Sequence, residues 1–336
     1  MRIGYPCINL SLDCRPSRTL RLANLAPDRL RALVAGNLAC LERIVRWNAE
    51  RGLLFLRITS DLVPLASHPA NRFPWDEEFA ADFARIGDLI RSLGMRISMH
   101  PGQYTLLNSP RPEVAAAARA DLAYHARVLD LLGLDRTAKI QIHVGGRYGD
   151  KATALERFVR EAERLDPAVR ARLAVENDER LFNLDDVLTA SRATGLPVLL
   201  DVFHRQVYPD GRTLPEALAA ARATWDPQDG PPMVDYSSPL PGGRPGSHAH
   251  TLDEAHFRRF LAESAPHDFD LMLEVKDKER SALRAAPTVP PKRRRLTGCA
   301  RRPAFPETPL VICARAPRAA RRSAAEGQKP SCTDRL

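Results

Sequence analysis

Eight times along the chain, a short strand-like run rich in apolar residues gives way to a longer segment, and in most of these longer segments apolar residues recur at helical spacing. The runs are RIGY near the start, LLFLRI (53–58), MRISMH (95–100), KIQIHV (139–144), LAVEN (173–177), PVLLDVFH (197–204), PMVDYS (232–237) and DLMLEVK (270–276). Between them the spacing predicts helices over 28–51, 76–93, 112–132, 151–165 and 184–194, and in LPEALAAARATW and LDEAHFRRFLAES. Gly94 and Gly133 supply helix stops. The runs read as strands buried on both faces. Repeated in this order, they predict an α/β fold, a (β/α)8 TIM barrel spanning residues 1–284, rather than an open doubly wound sheet. No G-x-G-x-x-G or P-loop follows a strand, so no nucleotide cofactor is expected.

The formal net charge of +9 is unevenly placed. Residues 285–336 hold twelve Lys and Arg against three Asp and Glu, and residues 1–284 hold 38 of each, so the tail carries the whole excess. The barrel therefore needs a local basic surface or bound metal to attract nucleic acid. The Arg-, Ala- and Pro-rich tail has no sustained pattern and is expected to be disordered. No run approaches the ~18–20 apolar residues of a membrane span. The start lacks the features of a signal peptide, which places the protein in the cytoplasm. None of the six cysteines forms a C-x-x-C pair, and reduced, structural thiols are expected.

Barrel enzymes gather their chemistry at the C-terminal ends of their strands. Read in order, those ends offer Tyr5 and Asn9, then Ser67 and His68, His100, His143, Glu176, Asp201 with His204, Asp235 followed by His248 and His250, and Glu274. A lone histidine at a strand end is ordinarily structural. Imidazoles and carboxylates at one end of six consecutive strands are harder to explain that way, because a barrel brings them around one axis. Converging carboxylates repel and are costly to desolvate unless cations neutralise them. Mixed His/Asp/Glu ligation suits Zn or Mn, and this many ligands implies a cluster of two or three ions. Such clusters serve hydrolysis at phosphorus or isomerisation of sugars. In HPGQY, Gln103 and Tyr104 point to base contacts made by hydrogen bonding and stacking. Arg244, in the loop PLPGGRPGS, is a candidate phosphate contact. His125 and His256 read as helix residues, and Trp47, Trp75 and Trp225 as helix packing.

GYPCINLSL, SMHPGQY, VENDER, LLDVFH, VDYSSP followed by GSHAH, and LEVKDKE together resemble the ultraviolet-damage endonucleases of the UvdE type over roughly residues 1–280. The resemblance implies a barrel similar to the class II AP endonucleases, with a trinuclear, typically manganese-dependent centre. It implies ATP-independent nicking of duplex DNA immediately 5′ to cyclobutane pyrimidine dimers and (6-4) photoproducts, by a protein expected to act as a monomer. His100, His143, Glu176, Asp201, His204, His248 and Glu274 fall on metal ligands. Gln103 and Tyr104 fall on lesion-probing residues, with Tyr5 and Asn9 beside them and His68 on the same face. The lesion-bearing dinucleotide is turned out of the stack, which costs least for damaged bases.

The chain departs from that pattern on strand seven. The family often reads Lys-x-His there, and this chain has Met233-Val234-Asp235. Asp235 is then an oxygen ligand in place of the histidine, favouring Mn or Mg. The expected catalytic set is Glu176, Asp201 and Glu274, holding ions that activate a water toward the phosphate. The alternatives are an AP endonuclease and a xylose-isomerase-like sugar isomerase.

Overall fold

The computed structural model describes residues 1–294. The strands are β1 (Ile3–Pro6), β2 (Phe55–Ile58), β3 (Arg96–Met99), β4 (Lys139–His143), β5 (Leu173–Glu176), β6 (Val198–Asp201), β7 (Met233–Tyr236) and β8 (Asp270–Leu273). They are all parallel and close in sequence order, with β8 pairing back to β1. The helices are α1 (Pro27–Glu50), α2 (Trp75–Glu78), α3 (Ala80–Ser92), α4 (Pro112–Leu131), α5 (Lys151–Glu163), α6 (Pro167–Ala171), α7 (Leu184–Thr194), α8 (Val202–Val207), α9 (Leu214–Arg222), α10 (Glu254–Glu263) and α11 (Glu279–Ala285). The TIM barrel expected from the alternation is the fold observed.

Three boundaries differ from the sequence reading. The helix expected over 76–93 breaks at Phe79 into α2 and α3, because Phe79 leaves helical geometry (φ −103°, ψ 12°). The sixth strand stops at Asp201, whose carboxylate caps α8 by accepting from the His204 amide, so His204 stands on a helix rather than a strand. Residues 285–294, assigned to the tail, belong with the barrel: Ala285 and Val289 are buried, and Arg293 donates to the carbonyls of Leu261 and His267. The rest of the tail, 295–336, lies outside the described residues.

Side-chain parity divides the molecule into two apolar regions. Outward residues such as Ile3, Tyr5, Leu56, Ile97, Ile140, Val175, Leu200, Val234 and Leu271 pack against the helices in one large core. Inward residues Phe55, Ala174, Leu199, Met233 and Met272 form a separate plug inside the barrel, joined by Trp225. Trp225 thus fills the barrel instead of packing between helices, and its indole donates to the Val198 carbonyl (2.7 Å). Two residues beyond each plug residue, toward the C-terminal ends of the strands, stand Arg57, Glu176, Asp201, Asp235 and Glu274. The strands are therefore not apolar on both faces. Their inner face is charged above the plug, and also around Arg96, Asp270, Lys139 and Asp229, which are joined by ion pairs.

Cys14 and Cys40 are joined by a disulfide, with Cα atoms 5.7 Å apart, against the expectation of reduced thiols. It ties the β1–α1 segment to α1. Cys7 is free, and Cys299, Cys313 and Cys332 lie outside the described residues. No helix among the described residues is long and apolar enough to cross a membrane.

Gly4 pairs with both Phe55 and Met272 where β1 closes the barrel. A Cβ there would lie 2.4 Å from the Phe55 carbonyl oxygen. Gly4→Ala is expected to destabilise the fold by roughly 1–3 kcal/mol through overpacking against backbone, read as a lowered midpoint in urea unfolding.

Candidate metal centre

Parity and register carry four carboxylates into one space. His143 is in register with Glu176, and Asp201 with Asp235. Glu274 follows β8, its amide donating to the Tyr236 carbonyl (2.8 Å). His100 follows β3, its carbonyl accepting from the Ser60 hydroxyl (2.6 Å). Three overlapping sets result, each with potential ligand atoms within 4.8 Å of one another: His100, His143 and Glu176; Glu176, Asp201 and His204; and Asp201, Asp235 and Glu274.

The donor chemistry fits divalent ions. The Nε2 atoms of His100 and His143 lie 3.4 and 3.8 Å from one Glu176 oxygen, and His204 Nδ1 lies 3.5 Å from the other. Atoms held ~2.0–2.1 Å from one tetrahedral ion are about 3.4 Å apart. Asp201 Oδ2 and Asp235 Oδ1 are buried without a hydrogen-bond donor, a costly state unless a cation meets them. His248 lies outside the three sets, but its Nδ1 donates to the Glu274 carbonyl (2.7 Å), which leaves Nε2 free to ligate.

The titration behaviour is as divided as the charges are crowded. Burial pushes the Glu176 carboxyl up, yet His143, His204 and His100 outweigh it and hold the group well below the ordinary carboxylate range. Burial lifts Asp201 to about 7 and Asp235 well above its usual value, the latter against the pull of Arg57. Glu274 is buried too, but Arg57 draws it down to about 2. Burial lowers His100 to about 4. For His204 burial acts downward, while Asp201 and Glu176 raise it to about 11.

Sequence reasoning missed the residues that hold this set. Arg57, from β2, forks to Asp235 Oδ2 (2.6 Å) and to Glu274. Gln141 Oε1 accepts from Arg57 (2.8 Å), and its amide donates to Glu176 (2.8 Å) and Asp235 (2.7 Å). Asn177 clamps the Asp201 backbone with a reciprocal pair of 2.9 and 3.0 Å. Arginine and glutamine interrupting the apolar runs LLFLRI and KIQIHV were the available signal.

Tyr5 and Asn9 do not reach the rim, and this corrects their expected place beside Gln103 and Tyr104. Both are fully buried. Tyr5 pairs in register with Leu56 on the outward face, its hydroxyl donates to Asn48 Oδ1 on α1 (2.6 Å), and Asn9 donates to that hydroxyl (2.9 Å). Gln103 is exposed, and Tyr104 is 70% exposed at the tip of a turn. That turn is closed by Thr105 N to Gly102 O (2.9 Å) and anchored by the Thr105 hydroxyl on Asp121 (2.8 Å). It separates two cavities. One, about 450 Å³, runs from His100 and His143 to Glu179 and Arg180. The other, about 590 Å³, is lined by Asp61, His68, Tyr104 and Asp121. Arg244 is exposed and makes no side-chain ion pair or hydrogen bond among the described residues. At Gly145 (φ +113°) a Cβ would meet Asn108 Oδ1 at 2.3 Å; that side chain binds the Gly146 backbone.

Tyr5→Phe is expected to cost about 1–2 kcal/mol of stability, from the polar groups it leaves unpaired, with no change in affinity for any ligand of the mouth. Urea unfolding beside a binding titration separates the two.

The model of the family described as UV-endonuclease UvdE matches residues 1–291. A UV DNA damage endonuclease of Clostridium perfringens is 37% identical over 286 residues, covering 84% of this chain and 69% of that protein. The crystal structure of SacUVDE superposes with a TM-score of 0.82 at 43% identity, over 85% of this chain and 97% of that one. The 3-keto-D-glucoside 4-epimerase YcjR of E. coli covers 86% of this chain and 98% of its own at a TM-score of 0.51 and 12% identity, a likeness of fold alone.

Proposed function

The chain belongs to the UV-endonuclease UvdE family, and from that premise we propose that it is a divalent-metal-dependent, ATP-independent endonuclease that hydrolyses the phosphodiester immediately 5′ to ultraviolet photoproducts in duplex DNA. Its lesions are cyclobutane pyrimidine dimers and (6-4) photoproducts, and its products a 3′-hydroxyl and a 5′-phosphate. The observation that carries this reading is the juxtaposition at one barrel mouth of overlapping ligand sets that share Glu176 with an exposed, anchored Tyr104. A centre for a small sugar has no use for an aromatic side chain held out in solvent.

The residues divide the work by position. His100, His143, Glu176, Asp201, His204, Glu274 and, through its free nitrogen, His248 hold the ions. Bound there, divalent ions, with Mn(II) first among them and Zn or Mg as alternatives, supply charge neutralisation at the phosphate and an activated water. Asn177 and Gln141 keep Asp201 and Glu176 in place. Tyr104 and Gln103 meet the bases, by stacking and by hydrogen bonding at their edges. The cavity between His100 and Glu179 receives the extruded dinucleotide, whose damaged stack makes extrusion cheap. The protein acts as a cytoplasmic monomer on nucleoid DNA.

The test is conversion of supercoiled plasmid to nicked circles, irradiated or not, with Mn(II) or with chelator. Nicking is expected only with irradiation and metal together, and a duplex with an abasic site serves as the control for an AP endonuclease. Metal-dependent nicking of unirradiated plasmid would overturn the lesion reading. Glu176→Gln is expected to lower nicking at least about a hundredfold, the scale of losing one electrostatic contributor to a transition state. Removal of residues 295–336 is expected to leave nicking intact.

A further inference from the structure

The three ligand sets are not alike. The first two combine imidazole with carboxylate, whereas the third, Asp201, Asp235 and Glu274, is carboxylate only. It is also the set that already has a cation in it. Arg57 ion-pairs with Asp235 Oδ2 (2.6 Å) and with Glu274, and its side chain is 4% exposed. A guanidinium keeps its charge at any working pH and offers a planar fork that matches two carboxylates. Gln141 fixes that fork, because its oxygen accepts from Arg57 while its nitrogen donates to Asp235 and Glu176. The amide can satisfy all three partners in one orientation only, so the network closes around the arginine.

Charge counting points the same way. Glu176, Asp201, Asp235 and Glu274 bring four negative charges and Arg57 returns one. Two divalent ions leave the cluster at +1, close to neutral once a nucleophilic hydroxide is present. A third would leave +3 in a buried space, with a guanidinium hydrogen-bonded to two of its ligands. Like charges at such separations are costly when screened by protein rather than water.

We infer that this centre takes two divalent ions, on the His100–His143–Glu176 and Glu176–Asp201–His204 sets, and that Arg57 stands in the third set as a built-in cation. Arg57 is a positioning residue: it holds Glu274 and Asp235 in place of an ion. The inference rests on the metal-dependent reading above and settles a number which the sequence left at two or three. The rival occupant is an ion on the partnerless Asp235 Oδ1.

The experiment counts metal. The full chain is stripped with chelator, loaded with Mn(II) and, separately, with Zn(II), freed of excess by gel filtration, and assayed by elemental analysis against protein concentration. Two ions per chain are expected. Arg57→Met is expected to raise the count to three by vacating the set, and Arg57→Lys to keep it at two by retaining a charge. Asp235→Asn, which removes a ligand only under the rival, is expected to leave the count at two. Three ions in the unmodified protein would overturn the inference alone, as would an unchanged count in a folded Arg57→Met. If Arg57→Met fails to fold, the count in the unmodified protein and in Asp235→Asn still decides. No bound ion, or a single one, would overturn the metal-dependent reading and the inference together.

Discussion

Four carboxylates buried at one end of a barrel cannot occupy that space without positive charge beside them, and most of what is distinctive here answers that demand. Parity sends the carboxylates inward, one step above an apolar plug. The pleat that does this also sends Arg57 inward from the opposite wall, where it meets two of them. The opposed titration of Glu176 and Asp201, one held down and the other lifted, describes an arrangement that its own side chains leave incompletely balanced. Glu176 belongs to two ligand sets, so its position governs both.

Around this centre the supporting contacts are short and local. Asn177 follows Glu176 directly and grips the backbone of Asp201, so one dipeptide supplies a ligand and the brace for its neighbour. Asp201 caps α8 and thereby sets His204 on its first turn. His248 is oriented by the carbonyl of Glu274. Each candidate ligand is held by a group a few residues from another candidate ligand, which makes the set cooperative in its geometry.

Much of this was legible in the sequence. The eightfold alternation implies the barrel, and the strand ends contain His100, His143, Glu176, Asp201 and Glu274, which do converge. What escaped was decided by parity and by tertiary contact. Tyr5 sits one residue out of phase with the inner face, so its hydroxyl turns to Asn48 on α1 and not to the mouth. Counting in twos from Gly4 would have found this, and counting in twos from Phe55 would have found Arg57. The break at Phe79, the Cys14–Cys40 bond and the packing of residues 285–294 depend on partners distant in the chain, which no local pattern announces.

The turn bearing Tyr104 has one more consequence. Its backbone closes on itself and its neighbour Thr105 is pinned to α4, so the aromatic ring is displayed on a stiff mount. A flexible loop would have to surrender its conformational freedom at the moment of contact, and that loss would be subtracted from the strength of every encounter. Here the ordering is completed during folding. The ring can therefore sample many transient contacts in quick succession, each weak and each readily released, until it meets one whose distortion lets it enter.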